Sequence, residues 1–394
     1  MTPQSGRAPS RRSNVSSFLA MDVLREANRL EQAGRRILHL EVGQPGTPAP
    51  ALVREVAGRA LESERLGYTD ALGIPALRER IARHYGEVHG LDISAGRVAV
   101  TTGSSGAFIL SYLAAFDIGA RIALQVPGYP ANRNILQALG LVDVPLRLSE
   151  RARWAPTVAL VEAAHRSQNL DGLLVASPAN PSGTAIAPGA LKALTGFCDG
   201  EGIRYIADEI YHGLTYDEPA QTALKFSGQA IVINSFSKYY SMTGWRVGWV
   251  VLPEDLVRPF ERLAQNLFIS VPALSQLAAV AAFDASDELE ANRAAYARNR
   301  ELLARRLPEI GLGRFLPMDG AFYAYVDVGE YCDDSAVLAA RLLHEAGVAV
   351  TPGADFDPDE GYRYVRLSYA GPAGDIDEAL TLIGEWLKAN GAVR

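Results

Sequence analysis

The feature that most constrains the fold is an alternation of short apolar runs with stretches of helical periodicity. The apolar runs are Val98–Thr101, Ile122–Val126, Leu170–Ala176, Ile203–Ala207, Ile231–Asn234 and Val247–Val251. Helical patterns lie between them, at Ala107–Ala115, Pro188–Cys198 and Asp255–Leu267. Continuous apolar strands that alternate with helices are typical of a mostly parallel sheet buried on both faces. The sequence therefore predicts an α/β fold, and such sheets bind ligands at the carboxyl ends of their strands.

The two ends of the chain have a different pattern. Residues 17–33 place apolar side chains on one helical face. The last hundred residues predict a helix at 287–306, a strand at 322–328, a helix at 335–346, a strand at 362–369 and a helix at 374–390. This pattern indicates a smaller α+β domain formed by both termini. We expect an N-terminal arm with part of that domain at 1–43, a large domain at 44–284 and a small C-terminal domain at 285–394.

Charge and apolar content exclude several classes of protein. The chain has 38 Lys and Arg against 45 Asp and Glu, and this balance argues against a nucleic-acid surface. Its longest apolar run, Leu277–Phe283, is far shorter than the ~18 residues of a membrane span. The two cysteines and six histidines have no metal-ligand spacing, so we expect no metal. The first fifteen residues are rich in Arg and Ser, without an apolar stretch, and predict a frayed tail and a cytoplasmic protein.

A lysine at the end of a buried strand is the strongest candidate for chemistry. The patterns GxxxxGK[ST], GxGxxG, HExxH and GxSxG are all absent, so phosphate transfer, dinucleotide redox and metalloprotease activities lack their usual signatures. Lys238 ends the segment Ile231–Lys238, and Ser235, Ser237 and Arg246 lie close to it in sequence. A desolvated lysine near other cations becomes an amine nucleophile suited to Schiff-base chemistry. The alternative is a surface lysine in a serine-rich loop.

A carboxylate also stands at a strand end. Asp208 follows the run Ile203–Ala207, where a buried charge needs a cationic partner such as a pyridinium nitrogen. Tyr211 lies three positions further on, within reach of a second atom of the same ring. A helix cap is the alternative for Asp208.

Two polar turns complete the set of candidates. Ser104 and Ser105 lie between a strand and a helix, where backbone N–H groups and hydroxyls suit a phosphate. Asn180 lies in an Asn-Pro turn after the run Leu170–Ala176, and its amide is a candidate donor to a phenolate oxygen. An ordinary turn remains the alternative at both places.

Taken together and in this order, the motifs resemble the class I/II aminotransferases of fold type I, which are aspartate aminotransferase-like and use pyridoxal phosphate. The resemblance rests on Asp208–Tyr211, Asn180–Gly183 and Ser235–Lys238, with Arg246 eight residues later, and extends from Gly43 to Arg366. It implies a pyridoxal-phosphate-dependent aminotransferase that moves an amino group from an L-amino acid to a 2-oxo acid by a ping-pong mechanism. It also implies that 44–284 is the cofactor-binding domain.

The resemblance assigns a role to each matching residue. Lys238 resembles the lysine that holds the cofactor as an internal aldimine, and Asp208 the carboxylate on the ring nitrogen. Asn180 and Tyr211 resemble the pair on the ring hydroxyl, and Tyr129 the aromatic residue that stacks on the ring. The residues implied for the phosphate are Ser104, Ser105, Ser235, Ser237 and Arg246, with Tyr68 from the neighbouring subunit of a homodimer with shared sites. Gly43 and Arg366, with Asn180, resemble the group that holds the substrate carboxylate.

The amino acid that is accepted stays open at this stage. Gly46 leads directly into Thr47-Pro48, where the family often has an Asp-Phe step, and this shortens a loop near the substrate. Arg133, Tyr239, Phe18 and Phe268 are candidates for the substrate pocket. Two other activities remain as alternatives: a carbon–sulfur β-lyase or related α,β-elimination enzyme on the same fold, and a non-catalytic ligand-sensing domain.

Overall fold

The computed structural model describes residues 8–391, so residues 1–7 of the expected N-terminal tail lie outside the described residues. In chain order the α-helices are α1 (Leu19–Gln32), α2 (Ala51–Ser63), α3 (Pro75–His89), α4 (Gly103–Ala115), α5 (Pro130–Leu139), α6 (Val158–Gln168), α7 (Pro188–Glu201), α8 (Glu254–Leu267), α9 (Ala273–Ala282), α10 (Ser286–Glu309), α11 (Ser335–Arg341) and α12 (Ala373–Asn390). The strands are β1 (Leu38–His39), β2 (Val98–Thr101), β3 (Arg121–Val126), β4 (Val142–Arg147), β5 (Gly172–Ala176), β6 (Arg204–Asp208), β7 (Ile231–Ser235), β8 (Gly248–Val251), β9 (Tyr323–Asp327), β10 (Val348–Ala349), β11 (Thr351–Pro352) and β12 (Tyr364–Ser368).

The main sheet has seven strands in the order β2-β8-β7-β6-β5-β3-β4. The neighbours from β7 to β4 all pair in parallel, whereas β8 pairs antiparallel with both β7 and β2. The prediction of an α/β fold with a mostly parallel sheet is confirmed. The reversed direction of β8 was not predictable from its apolar run, because such a run is the same in either direction.

Helices cover both faces of this sheet. On β7, Val232 packs into a core that includes residues of α2, α3, α7 and α9. Its neighbours Ile231 and Ile233 pack into a second core with Phe108 of α4 and Phe260 of α8. Each such side chain contributes about 1.5–3 kcal/mol when fully buried. Within the main sheet, β4 is the one strand that was not predicted: it lies at the sheet edge and alternates buried with exposed residues, so it lacks a continuous apolar run.

The two ends of the chain meet in a second unit. Strands β11, β12 and β9 form an antiparallel sheet, and β1 pairs in parallel with β10, so that Leu38 lies opposite Val348. One hydrophobic core joins Leu38 to Phe322 and to Trp386 of α12. The helix expected at 335–346 is α-helical only through α11 and continues as a π-helix over Leu342–Ala346. The domain boundaries at 43/44 and 284/285 stay predictions.

Candidate active site

A cavity lies at the carboxyl ends of the parallel strands. Four of its wall residues are Tyr129 after β3, Asn180 after β5, Asp208 at the end of β6 and Lys238 after β7. Parallel strands end at the same edge of a sheet, which is why residues more than one hundred positions apart come together here. The cavity is also lined by the expected residues Gly43, Ser104, Ser105, Tyr211, Ser237, Arg246 and Arg366.

The Lys238 amine is held by backbone at the edge of this cavity. Its Nζ donates a hydrogen bond to the Gly43 carbonyl oxygen at 2.5 Å. Loss of hydration, with Arg366 and Arg246 nearby, lowers the pKa of Lys238 to about 8, and Asp208 opposes that change. A larger fraction of neutral amine at neutral pH is what a nucleophilic lysine needs.

The Asp208 carboxylate is buried and poorly compensated. Only 3% of the residue is exposed, and its Oδ1 accepts a hydrogen bond from the Ile210 N–H at 3.4 Å. Burial raises the pKa of Asp208 to about 7, against the opposing effects of that hydrogen bond and of Lys238. A cation placed beside this carboxylate would restore its charged form.

An anion cradle is built from the start of α4 and from Arg246. The helix begins at Gly103 with no side-chain cap, so the N–H groups of its first turn are free for a ligand. Gly103 has a φ of +74°, and a Cβ there would stand 2.5 Å from Nη2 of Arg246. Arg246 Nη1 donates to the Thr243 carbonyl oxygen at 3.0 Å, which fixes the guanidinium beside the helix terminus.

Ser235 is not part of the cavity wall. It is buried at the end of β7, and its hydroxyl group donates to Ser237 Oγ at 3.0 Å. Ser237 lines the cavity, so Ser235 stands behind the residue that does. The sequence of a strand followed by a turn does not indicate which of two serines, Ser235 or Ser237, faces the cavity.

Arg366 reaches the opposite wall from β12. It is 2% exposed, and its Nη1 donates to Asn180 Oδ1 at 3.0 Å. Nη2 donates to Thr351 Oγ1 at 3.2 Å and to the Glu41 carbonyl oxygen. Its Nε is buried and has no partner among residues 8–391. An unpaired buried donor is destabilising, so this guanidinium is suited to take a further acceptor from a ligand.

Sequence analysis missed Tyr323, which lies between Arg366 and Tyr211. The Tyr211 and Tyr323 hydroxyl oxygens are 2.8 Å apart, and the Arg366 Cζ lies 4.4 Å from the centre of the Tyr323 ring. A Cβ at Gly43 would stand 2.0 Å from the Tyr323 hydroxyl, so this wall requires glycine there. A buried tyrosine hydroxyl group usually has a hydrogen-bond partner. The strand pattern alone did not indicate which residue is the partner of Tyr323.

The N-terminal helix covers one side of the cavity. Asp355 accepts hydrogen bonds from the N–H groups of Leu19 and Ala20, both at 3.1 Å, at the start of α1. Phe18 lies edge-on to the Tyr129 ring, with the ring centres 5.7 Å apart. The remaining lining residues are Ala20, Met21, Val42, Phe108, Ala176, Ile210 and Thr243. Of the four residues suggested for the substrate pocket, only Phe18 lines this cavity; Arg133, Tyr239 and Phe268 do not.

Tyr68 lies away from this cavity on the surface of the chain. It is 84% exposed and lines a shallow groove with Ala273 and Leu277. The N–H of Thr69 donates to Ser270 Oγ at 3.4 Å, which holds the Tyr68 loop against the segment that contains Ile269. Within one chain, the structure does not bring Tyr68 to the other expected phosphate ligands.

Comparison with known proteins identifies the class. Residues 35–383 match the family described as aminotransferase class I and II, so the chain belongs to that family. The resemblance inferred from the motifs is confirmed. The chain is an enzyme that transfers amino groups, and pyridoxal phosphate is the cofactor of this family.

Individual relatives cover nearly the whole chain. A valine–pyruvate aminotransferase of Mycobacterium tuberculosis is 47% identical over 380 residues, which are 95% of this chain and 97% of the relative. A crystal structure of an aminotransferase from the same organism superposes with a TM-score of 0.95 at 46% identity, over 98% of this chain and 100% of that one. An aspartate aminotransferase from Thermus thermophilus, solved with maleate, gives a TM-score of 0.91 at 28% identity, over 96% and 100%.

Residues 8–391 contain neither a membrane-spanning helix nor a metal-binding cluster. In that part of the chain no helix is long and apolar enough to cross a membrane. The same residues place no group of three or more His, Cys, Asp or Glu side chains where it could hold a metal ion. Cys198 and Cys332 are both buried and free.

Proposed function

We propose that this aminotransferase binds pyridoxal phosphate through Lys238 and moves an amino group between a neutral L-amino acid and a 2-oxo acid. The observation that carries the proposal is the pairing of two perturbed groups in one cavity. The pKa of Lys238 is lowered to about 8 and that of Asp208 is raised to about 7. Both shifts arise mainly because burial removes the water that stabilises the charged form of each group. Groups that titrate out of their usual range in a cleft are typical of an active site.

The chemistry of the cavity fits this cofactor. Asp208 offers a buried carboxylate to a protonated ring nitrogen, and Arg246 with the start of α4 offers donors to a phosphate. The Tyr211 and Asn180 side chains line the same cavity. When bound, the cofactor supplies a sink for the electrons of the substrate Cα–H bond.

The side chains then have separate tasks. The Lys238 Nζ would act first as general base, taking one proton from the substrate Cα, and then as general acid, giving that proton to the cofactor carbon that carries the amino nitrogen. With the cofactor bound, an ionised Asp208 would pair with its ring nitrogen and keep that nitrogen protonated. Arg366 binds the substrate carboxylate and so fixes which bond at Cα is aligned for cleavage. We propose a ping-pong order, in which the amino acid leaves as an oxo acid before a second oxo acid binds.

The walls favour a neutral substrate side chain. The cationic residues on the described wall are Lys238, Arg246 and Arg366, and the proposal gives each of them a task other than binding a distal carboxylate. Several wall residues carry apolar side chains, including Phe18, Met21, Val42, Phe108 and Ile210. The valine–pyruvate activity named for the M. tuberculosis relative supports the same substrate class.

The active unit of the proposal is a homodimer. Tyr68 is strongly exposed, and Ile269 and Leu267, on the segment that holds its loop, are 51% and 52% exposed. Exposed apolar groups of this kind are typical of an interface. We propose that Tyr68 reaches the phosphate site of the partner subunit. The cytoplasmic location expected from the sequence stays a prediction.

A panel of amino donors tests the substrate class. The holoenzyme is assayed with valine, alanine, phenylalanine and aspartate as donors and 2-oxoglutarate as acceptor, and with pyruvate as acceptor for every donor except alanine. We expect kcat/KM for valine to exceed that for aspartate by at least about tenfold, since burying a carboxylate against apolar walls is unfavourable. A preference for aspartate would contradict the substrate class. Steady turnover of an amino acid without any oxo acid would instead indicate a β-lyase.

A further inference from the structure

We propose that Tyr323 is a positioning residue with two separable tasks: its hydroxyl group orients Tyr211 and its ring holds Arg366. The inference rests on the proposed function, because Tyr211 and Arg366 are assigned there to the cofactor and to the substrate. Tyr323 is 1% exposed and lines the cavity from β9, where no sequence motif marks it.

The hydroxyl task follows from counting protons. Each phenol carries one proton and two acceptor sites. Tyr323 makes one side-chain hydrogen bond within residues 8–391, to Tyr211 at 2.8 Å. Either hydroxyl group can be the donor in this bond. The proposed function uses the Tyr211 proton for the ring oxygen of the bound cofactor, so in the loaded enzyme Tyr323 would donate to Tyr211 and Tyr211 would accept.

This arrangement makes Tyr211 a stronger donor. Hydrogen bonds in a chain strengthen one another, by about 10–30% per bond. The accepted bond also fixes the direction of the Tyr211 hydroxyl group. The wall behind Tyr323 leaves its own hydroxyl little freedom, since even a methyl group at Gly43 would stand 2.0 Å from it.

The ring task concerns the substrate side of the cavity. The Arg366 guanidinium lies between two aromatic rings, with its Cζ 4.4 Å from the centre of Tyr323 and 4.8 Å from that of Phe356. Stacking between rings restricts a planar guanidinium to one orientation. Tyr323 therefore connects the proposed cofactor side and the substrate side through one rigid side chain.

Two variants separate these tasks. Tyr323→Phe removes the hydroxyl group and keeps the ring, whereas Tyr323→Leu removes both. Tyr325→Phe is the matched control, because Tyr325 is equally buried two residues along the same strand, and its hydroxyl donates instead to the Gly353 carbonyl oxygen at 3.3 Å. All three variants retain Arg366 and Asp208, the charged groups that act on Tyr211, and also retain Lys238 and Arg246.

The first readout is the pH midpoint of the visible absorbance band of the holoenzyme. Weaker donation from Tyr211 would stabilise a negative ring oxygen of the bound cofactor less. The proton that this oxygen shares with Lys238 Nζ would then be lost at a higher pH. We expect the midpoint to rise by on the order of 0.3 pH unit in Tyr323→Phe, with no change in Tyr325→Phe. The second readout is KM for the amino acid. It should stay within about twofold in Tyr323→Phe and rise about tenfold in Tyr323→Leu.

The outcomes distinguish the inference from the proposed function. A wild-type chain without a visible band would overturn the proposed function and this inference with it. A normal wild-type band with an unchanged midpoint in Tyr323→Phe would overturn the hydroxyl task alone. Equal KM values for Tyr323→Phe and Tyr323→Leu would overturn the ring task. If Tyr323→Leu fails to fold, stacking is tested with Phe356→Leu, which removes the other ring from Arg366 and should also raise KM.

Discussion

Replacing Asp208 with asparagine should stabilise the cofactor-free chain and at the same time disable it. Burial raises the pKa of this carboxyl group from 3.8 to about 7 in the folded chain. The folded state therefore keeps the proton to higher pH than the unfolded state does. The contribution of this group to stability is fully present below pH ~4 and is lost as the pH rises to about 7.

The magnitude follows from the two pKa values. A difference of about three pH units, at 1.36 kcal/mol each, makes the ionised carboxylate unfavourable by about 4 kcal/mol above pH 7. An asparagine side chain at this position has no charge to bury, so the variant should gain up to that amount at pH 8. At pH 5 only part of the wild-type penalty has developed. We therefore expect the gain at pH 8 to exceed that at pH 5 by about 2–3 kcal/mol.

Activity should change in the opposite direction. The loss of a charged partner for the ring nitrogen removes about 3 kcal/mol or more, which lowers the rate of the first half-reaction at least ~100-fold. The assay combines chemical unfolding of cofactor-free protein at pH 5 and pH 8 with single-turnover loss of the Cα proton by the loaded enzyme. Asp208→Asn and wild type are compared throughout.

A true helix cap serves as the control for this experiment. Asp334 accepts a hydrogen bond from the Ala336 N–H at 2.8 Å at the start of α11. Asp334→Asn should keep its stability within about 0.5 kcal/mol and keep its half-reaction rate, because asparagine caps a helix about as well as aspartate. If Asp208→Asn behaves like Asp334→Asn, with unchanged stability at both pH values and a normal rate, Asp208 is a cap and the reasoning is refuted.

Three further substitutions test other parts of the site. Lys238→Ala should abolish both the visible absorbance band and steady-state transamination, and full activity in that variant would contradict the assignment of Lys238. Gly43→Ala should lower kcat/KM at least about tenfold, because the added methyl group displaces Tyr323. Its control is Gly189→Ala, where the added methyl group has no heavy atom within 4 Å, and this variant should keep its activity. Mixing Tyr68→Phe with Lys238→Ala subunits should restore part of the activity, because one site of the hybrid then carries both defects and the other carries neither. That test requires impaired Tyr68→Phe homodimers and exchanging subunits, and no gain on mixing would contradict the shared site.

The strand-end residues were predictable from sequence for a topological reason. Asn180, Asp208 and Lys238 each follow a buried apolar run, and parallel strands bring their carboxyl ends to one edge of the sheet. The local sequence around each strand was therefore sufficient to predict that these distant residues lie close together. The start of α4 was predictable in the same way, since small residues after a strand mark a helix terminus that is open to an anion.

Other features depend on contacts that a single sequence does not encode. Tyr323 looks like an ordinary strand tyrosine until β9 pairs with β12 and brings Arg366 against its ring. Ser235 and Ser237 are equivalent in the motif, and the turn after β7 decides that Ser237 faces the cavity. The role proposed for Tyr68 requires a second subunit, so a single chain does not test it.

The most direct test of the central proposal follows the visible spectrum of the holoenzyme through one cycle. Valine is added without any oxo acid, and pyruvate is added afterwards. We expect valine to remove the band and release one equivalent of its oxo acid per site, after which the reaction stops. Pyruvate should then restore the band and release alanine. A band that valine does not change, or continued turnover before pyruvate is added, would contradict the account.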